Sequence, residues 1–299
     1  MIGARVTPVT RDYAFIVTKP LQLMFATSII RQLEIAERSV LIITDDFKDA
    51  IGVYERLRLL ESDLSLVDIR FCSDRNKAEM FATELDIETL FVDSDVGFKR
   101  FLILLKTQIR KQRLKIWVYE EGHGTYRSDM YQNHAKRRFF EFLGIGTHFG
   151  GSRFTRGIYV RDPELFIERF NFSAIDIRRI EHTPSEILRH NLETWARIFD
   201  YSPVKPGQAD DCAIYLTDWR VREEGLAQLH NFRGRRFVKP HPHIKTPPHV
   251  HGTENISATA PAELVLIDLL EKHSRTTVFH HGSSCERYVI DERLSYVRL

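Results

Sequence analysis

Cysteine is scarce in this chain. Cys72, Cys212 and Cys285 are the only three in 299 residues, widely spaced and with no CxxC pair. That excludes a disulfide framework and points to reduced thiols in a cytosolic protein. Long apolar runs are missing as well: no stretch of roughly eighteen apolar residues occurs, so no membrane-spanning helix is expected. Ahead of Arg11 and Asp12 there is no apolar core of a secretory signal, which places the protein in the cytoplasm as an expectation. Nor does one sign of charge dominate. The 43 lysines and arginines against 41 acidic residues leave a formal net charge of +2, too little to argue for a nucleic-acid partner. No repeat of fixed period and no low-complexity tract is present.

What the chain does have is enough apolar content, 43% with 28% charged residues, to build a soluble globular protein. Its length favours two domains over one. Short apolar runs alternate with helical patterns. Strands are expected at 13–17, 39–44, 67–71, 89–92, 116–119 and 157–160. Helices are expected from 21 onward and at 50–60, 77–84, 98–110 and 127–142. The alternation resumes with strands at 212–216, 236–238 and 276–279, and helices at 223–230 and 262–272. This is the signature of parallel sheets with helices on both faces. The expected division is a first domain over 1–183, a helix and linker over 184–211, and a second domain over 212–299. The linker is placed at 201–211, which carries two prolines and a glycine.

Three strand ends draw attention, because ligands of open α/β sheets sit outside the carboxyl ends of the strands. The first is Trp117-Val118-Tyr119-Glu120-Glu121-Gly122, where an apolar run stops at two carboxylates and a glycine. A carboxylate there can act as a base, and the glycine lets the backbone approach a ligand. The second is Val238-Lys239-Pro240-His241-Pro242, which holds an imidazole on a stiff loop between prolines. The third is His280-His281-Gly282-Ser283-Ser284, where two hydroxyls and backbone N–H groups near a helix start offer an anion site. Pro261-Ala262-Glu263, a helix start with a carboxylate, lies between the last two.

Other features read more plainly. Asp45, Asp46, Asp93 and Asp95 read as solvated strand-end acids. The glycine-rich segment 144–151 lacks the strand-then-helix context of a dinucleotide fingerprint and reads as a loop beside an acceptor. His241, His243, His249 and His251 form a dense cluster that raises a zinc hydrolase as a rival, but no cysteine or carboxylate completes a known ligand spacing. Two basic helix faces, with Lys106, Arg110, Lys111 and Arg113 on one and Lys136, Arg137 and Arg138 on the other, face solvent or an anionic membrane or lipopolysaccharide.

The order Glu120-Glu121-Gly122, His241-Pro242, Ser283-Ser284 resembles the (D/E)-(D/E)-G, H-P and S-S motifs of bacterial sialyltransferases. That group comprises the lipooligosaccharide enzymes of glycosyltransferase family 52, the capsular polysialyltransferases and the marine type. Thr18-Lys19-Pro20-Leu21-Gln22 looks like the opening segment of family 52, and Pro261-Ala262-Glu263 like its donor-ribose segment. The resemblance spans nearly the whole chain, which is short for a polysialyltransferase and so favours the family 52 branch. It implies a GT-B fold, two Rossmann-like domains facing a central cleft, and an inverting transfer of sialic acid from a CMP donor without a metal or other cofactor. It further implies a lipooligosaccharide or capsule glycan as acceptor and work on the cytoplasmic face of the inner membrane. By the same resemblance Glu121 is the base and His241 meets the leaving phosphate. Ser283 and Ser284 hold that phosphate, and Lys239, Pro240, Pro242 and Glu263 hold the nucleoside. Glu120, Gly122 and Gln22 support. A CMP-Kdo or CMP-pseudaminic acid transferase would use the same apparatus, and a non-catalytic nucleotide-sugar-binding subunit of a capsule-assembly complex would bind CMP without needing Glu121.

Overall fold

The computed structural model describes residues 11–60, 64, 68–170, 175–206, 210–244 and 251–299. They divide into two compact units between His182 and Thr183. In the first unit the elements run β1 (Tyr13–Val17), α1 (Pro20–Gln32), β2 (Ser39–Thr44), α2 (Ala50–Leu59), β3 (Asp68–Cys72), α3 (Arg75–Glu84) and β4 (Thr89–Val92). They continue α4 (Phe98–Arg110), β5 (Lys115–Tyr119), α5 (His134–Phe142), β6 (Thr155–Val160), α6 (Pro163–Phe170) and β7 (Asp176–Arg179). The seven strands form one parallel sheet in the order β3-β2-β1-β4-β5-β6-β7. β2 and β4 are buried at every residue, as expected of strands covered on both faces. The core beneath them gathers Ile16, Ile42, Val92, Val118 and Ile158 with Ala78 and Leu104 from α3 and α4. Chain order reverses between β1 and β4, so the ligand crevice of this sheet is expected above those two strands.

The second unit holds α7 (Pro184–His190), α8 (Leu192–Ile198), β8 (Asp211–Leu216), α9 (Glu223–Asn231), β9 (Arg235–Lys239), β10 (Glu254–Asn255) and α10 (Ala262–Leu270). β11 (Arg275–His280), α11 (Cys285–Tyr288) and β12 (Leu294–Arg298) complete it. Its sheet is also parallel, in the order β10-β9-β8-β11-β12, and reverses between β8 and β11. α10 is buried from Glu263 to Leu270.

Several local expectations give way to side-chain chemistry. The helix expected over 127–142 starts only at His134, because the Asn133 side chain accepts from Lys136 N at 3.0 Å and so caps it. The helix expected ahead of the linker, from residue 184, is two, broken at Asn191, whose backbone (φ −143°, ψ 51°) leaves the helical region. Thr183 and Glu186 form a capping box at its start. The stretch read as a linker is tied into the second unit as far as it is described. Tyr201 Oη and Val204 N both donate to Asp268 on α10, at 2.7 and 2.8 Å, while residues 207–209 lie outside the described residues. Val67, expected to open the third strand, also lies outside them.

Candidate active site

At the carboxyl end of β5 the two adjacent carboxylates part company. Glu120 is fully buried and accepts hydrogen bonds from Tyr126 Oη (2.8 Å) and from Arg161 N just beyond β6. Those bonds tie the ends of two neighbouring strands together. Glu121 points the other way: its side chain is 23% exposed and is ion-paired with Lys19, next to α1. Its backbone N–H donates to Thr125 Oγ1 at 2.9 Å. Gly122 adopts φ +129°, where a side chain is strained, and the chain turns there into a single 3-10 turn over His123–Tyr126. The sharp turn leaves Glu121 at the strand end.

Beside Glu121 lies the reversal point of the first sheet. The Thr18 hydroxyl is 2.8 Å from Gln22 Oε1 and 3.0 Å from Asp93 Oδ2, and Thr18 N donates to the same glutamine oxygen. Gln22 Nε2 is buried and donates to nothing among the described residues. Asp93 at the end of β4 is ion-paired with Arg75, and it lies close enough to Glu121 for the two charges to repel. Gln22, Glu120, Glu121 and Gly122 therefore fall in one region, together with Lys19, Thr18, Asp93 and Arg75. A cavity of about 620 Å³ adjoins it, lined by Asp46, Asp74, Arg75, Asn76, Lys99 and Arg100 among others.

Two of the four strand-end acids correct the sequence reading. Asp45 and Asp46 are exposed, but Asp93 and Asp95 are buried. Asp95 accepts from Gly150 N (2.9 Å), Ser152 N (2.9 Å) and Thr155 Oγ1 (2.6 Å), which pins the glycine-rich loop to the end of β4. Burial raises the pKa of both carboxyls; Arg75 and Arg100 oppose this at Asp93, and the three hydrogen bonds oppose it at Asp95. A buried acid persists where donors replace its water.

In the second unit the predicted residues gather around the reversal between β8 and β11. His241 follows β9, and its N–H donates to Thr217 Oγ1, just past β8, at 2.8 Å. Its Nδ1 accepts from His243 N at 3.3 Å, so Nε2 carries the proton of the neutral ring. Burial foremost, then His243 and Lys239, lower the pKa of His241 against the pull of Asp218. Near neutral pH it is a hydrogen-bond donor rather than a cation. Ile244 N closes the turn through Pro242 on the His241 carbonyl at 2.9 Å. Lys239 is buried, its Nζ 3.4 Å from the Pro240 carbonyl, and Glu263 lies near it with its carboxyl pKa raised by burial.

The serine pair is arranged differently from expectation. The N–H groups of Gly282 and Ser283 both point to Nδ1 of buried His280, at 3.1 and 2.9 Å. Those two donors are used inside the loop, and the Ser283 hydroxyl itself lies 3.1 Å from Cys285 Sγ. For an anion the loop offers hydroxyls more than a nest of backbone donors. Ser284 occupies the cap position of α11 without a side-chain cap bond.

Sequence reasoning missed Thr217, Asp218 and Trp219, and it quoted His281 in the third strand-end segment without giving it a role. Trp219 is 69% exposed and stacks on His243 (4.4 Å, 9°) and His241 (5.0 Å, 27°). His281 Nε2 lies 3.0 Å from Tyr215 Oη. The signal for Thr217, Asp218 and Trp219 was present: the strand-end rule applies to Leu216-Thr217-Asp218-Trp219 as it does to β5 and β9. The histidines raised as zinc ligands are partly accounted for. His241 and His243 stack face to face at 5.1 Å, His249 lies outside the described residues, and among the described residues no group of three or more His, Cys, Asp or Glu could hold a metal ion.

No family model matches the sequence, and no curated protein is a significant match. Solved structures do match. Two of the wall teichoic acid polymerase TagF, one from a crystal soaked with CDPG, align over 93% of this chain and 66–67% of theirs, with 11% identity and a TM-score of 0.51. The fold is GT-B. The UDP-GlcNAc 2-epimerase of Neisseria meningitidis bound to UDP-GlcNAc aligns over 91% of this chain and 78% of its own, at 13% identity and a TM-score of 0.48. Two successive parallel-sheet units, each with its own reversal point, are what the GT-B class combines. Among the described residues no helix is long and apolar enough to cross a membrane.

Proposed function

We propose that the chain is an inverting, metal-independent glycosyltransferase. It moves sialic acid, or a related nonulosonic acid, from a CMP-activated donor to a terminal sugar of a bacterial lipooligosaccharide or capsule glycan. The observation that carries this reading is the division of labour at the end of β5: Glu120 is consumed by structural hydrogen bonds, while Glu121 stays accessible at a strand end. One carboxylate is left to do chemistry.

In this reading Glu121 takes the proton of an acceptor hydroxyl, whose oxygen attacks the anomeric carbon. The bond from that carbon to the CMP phosphate oxygen breaks, and CMP leaves with the electron pair. Charge then grows on the phosphate, where neutral His241 donates from Nε2 and the hydroxyls of Ser283 and Ser284 donate as well. Lys19 meets Glu121 in the resting state and gives way as the acceptor hydroxyl takes its place. Lys239, Pro240, Pro242 and Glu263 hold the nucleoside, which the loop after β9 and the first turn of α10 support by lying together. Gln22 Nε2, buried and with no acceptor among the described residues, supports a polar contact at the acceptor side.

Incubation with CMP-Neu5Ac and a panel of galactose- and sialic-acid-terminated glycans, read by mass spectrometry of the products, tests the reading. A product heavier by one nonulosonic acid residue, of inverted anomeric configuration, is expected. Product from CMP-Kdo or CMP-pseudaminic acid alone would move the assignment to those donors. Failure to bind any CMP sugar would overturn it.

A further inference from the structure

The exposed large hydrophobic side chains are unevenly spread. Phe98, Leu102 and Ile109 stand on α4, and Phe139 and Phe142 on α5 with Leu143 just after it. At roughly 100° per residue, Phe98, Leu102 and Ile109 fall within an arc of about 40°, with half-buried Leu105 beside them. The face turned into the core is a different one, carrying Arg100, Leu104 and Thr107. The apolar side of α4 is therefore the one that the fold leaves exposed, while its buried side carries two polar residues beside Leu104. On α5, Phe142 is 86% exposed and no residue of the helix is buried, so its aromatic residues are not explained by the core.

The two helices share one region. The Tyr131 ring packs on Phe140 of α5 at 5.5 Å, and its hydroxyl would lie 3.2 Å from a side chain at Gly97, the residue that opens α4. Phe101 of α4 packs on Phe154 at 5.1 Å, and neighbouring Arg153 N donates to the carbonyl of Gly144, just past α5. The charge around this patch is one-sided. Residues 98–113 contain six basic residues and no acidic one, although the whole chain carries only +2. Of these, Lys99, Lys106 and Arg110 are exposed along one side of the apolar stripe and Arg113 is exposed just past the helix, while Arg100 is turned inward to Glu79. On α5, Lys136, Arg137 and Arg138 face a single acid, Glu141, which is already bonded to Arg137 and Thr147.

We propose that α4 and α5 form a docking surface for an anionic lipid bilayer. Exposed aromatic and aliphatic side chains bordered by lysine and arginine, with almost no acid among them, are what a helix lying in a membrane interface presents. Apolar groups enter the headgroup layer while the cations meet the phosphates. A protein partner or a second copy would use the apolar stripe but gives no reason for the exclusion of acids from it. This holds whatever sugar the site transfers.

Flotation of the full chain with phosphatidylcholine vesicles, with and without phosphatidylglycerol, tests the proposal. The chain floats with the phosphatidylglycerol vesicles, and high salt releases most of it. The variant Lys106→Glu with Arg110→Glu binds at least about tenfold more weakly. Phe139→Ser with Phe142→Ser also loses binding, and both variants keep the wild-type melting temperature because the positions are exposed. Equal flotation with neutral vesicles, or none with either, would overturn the proposal. So would a lipid-free dimer, seen by sedimentation, that these same variants dissociate.

Discussion

Glu120 is buried against Tyr126 and Arg161, whereas Glu121, one residue on, meets solvent and Lys19. The resemblance singled out Glu121 of the pair, but the residues themselves did not separate the two, because what buries Glu120 is a pair of donors, at positions 126 and 161, that only the fold delivers. The contrast predicts opposite phenotypes. Glu120→Ala removes the buried acceptor shared by Tyr126 Oη and Arg161 N and costs about 2–5 kcal/mol, seen as a lower melting temperature. Glu121→Gln changes stability by less than about 0.5 kcal/mol, since an exposed ion pair contributes little, yet lowers turnover by roughly a hundred- to ten-thousandfold. Calorimetry and rate assays on the same two proteins would show it. The strand-end position of Trp219 was legible, but its stacking on His241 and His243 was not, because the fold alone brings the loop after β9 beside it.

Elements were legible where periodicity was strong. β1, β2, β4 and α4 have the expected bounds, and β5 begins one residue earlier than expected, because their apolar runs are bounded by charged or turn-forming residues. β7 went unread because Asp-Ile-Arg-Arg is an edge strand with a polar outer row, held by Arg178 lying 4.6 Å over Trp117. The start of α5 was misplaced because Asn133 was read as part of a helix that it caps. The loop after α5 also bears a pH signature. His148 stacks on Phe170 at 5.0 Å, and burial, with Arg137 assisting, pushes its pKa down to about 4. The folded state then binds fewer protons than the unfolded chain below the usual histidine value of about 6.5. Stability linked to His148 is whole above that pH and is lost as pH falls toward 4, by about 3 kcal/mol in full. His148→Gln should flatten the acid limb of melting temperature against pH relative to wild type; identical limbs would contradict the assignment.

For the whole molecule, two parallel sheets were expected and two are present, each reversing once and each with candidate residues at the reversal or on a neighbouring strand. The alternation of apolar runs with helical patterns carried that information, since a parallel sheet needs a crossover for each strand. What the alternation did not carry was the fate of residues 184–206, whose prolines suggest a connector but whose Tyr201 and Val204 fasten to Asp268. The proposed chemistry is likewise split, with the base in the first unit and the phosphate contacts in the second.

The account therefore turns on release of CMP from CMP-Neu5Ac in the presence of acceptor, measured with and without chelator for the wild type, Glu121→Gln and His241→Ala. It predicts chelator-resistant turnover in the wild type, collapse in both variants, and CMP binding retained by Glu121→Gln but weakened in His241→Ala. Full turnover in Glu121→Gln, or turnover abolished by chelator, would contradict it.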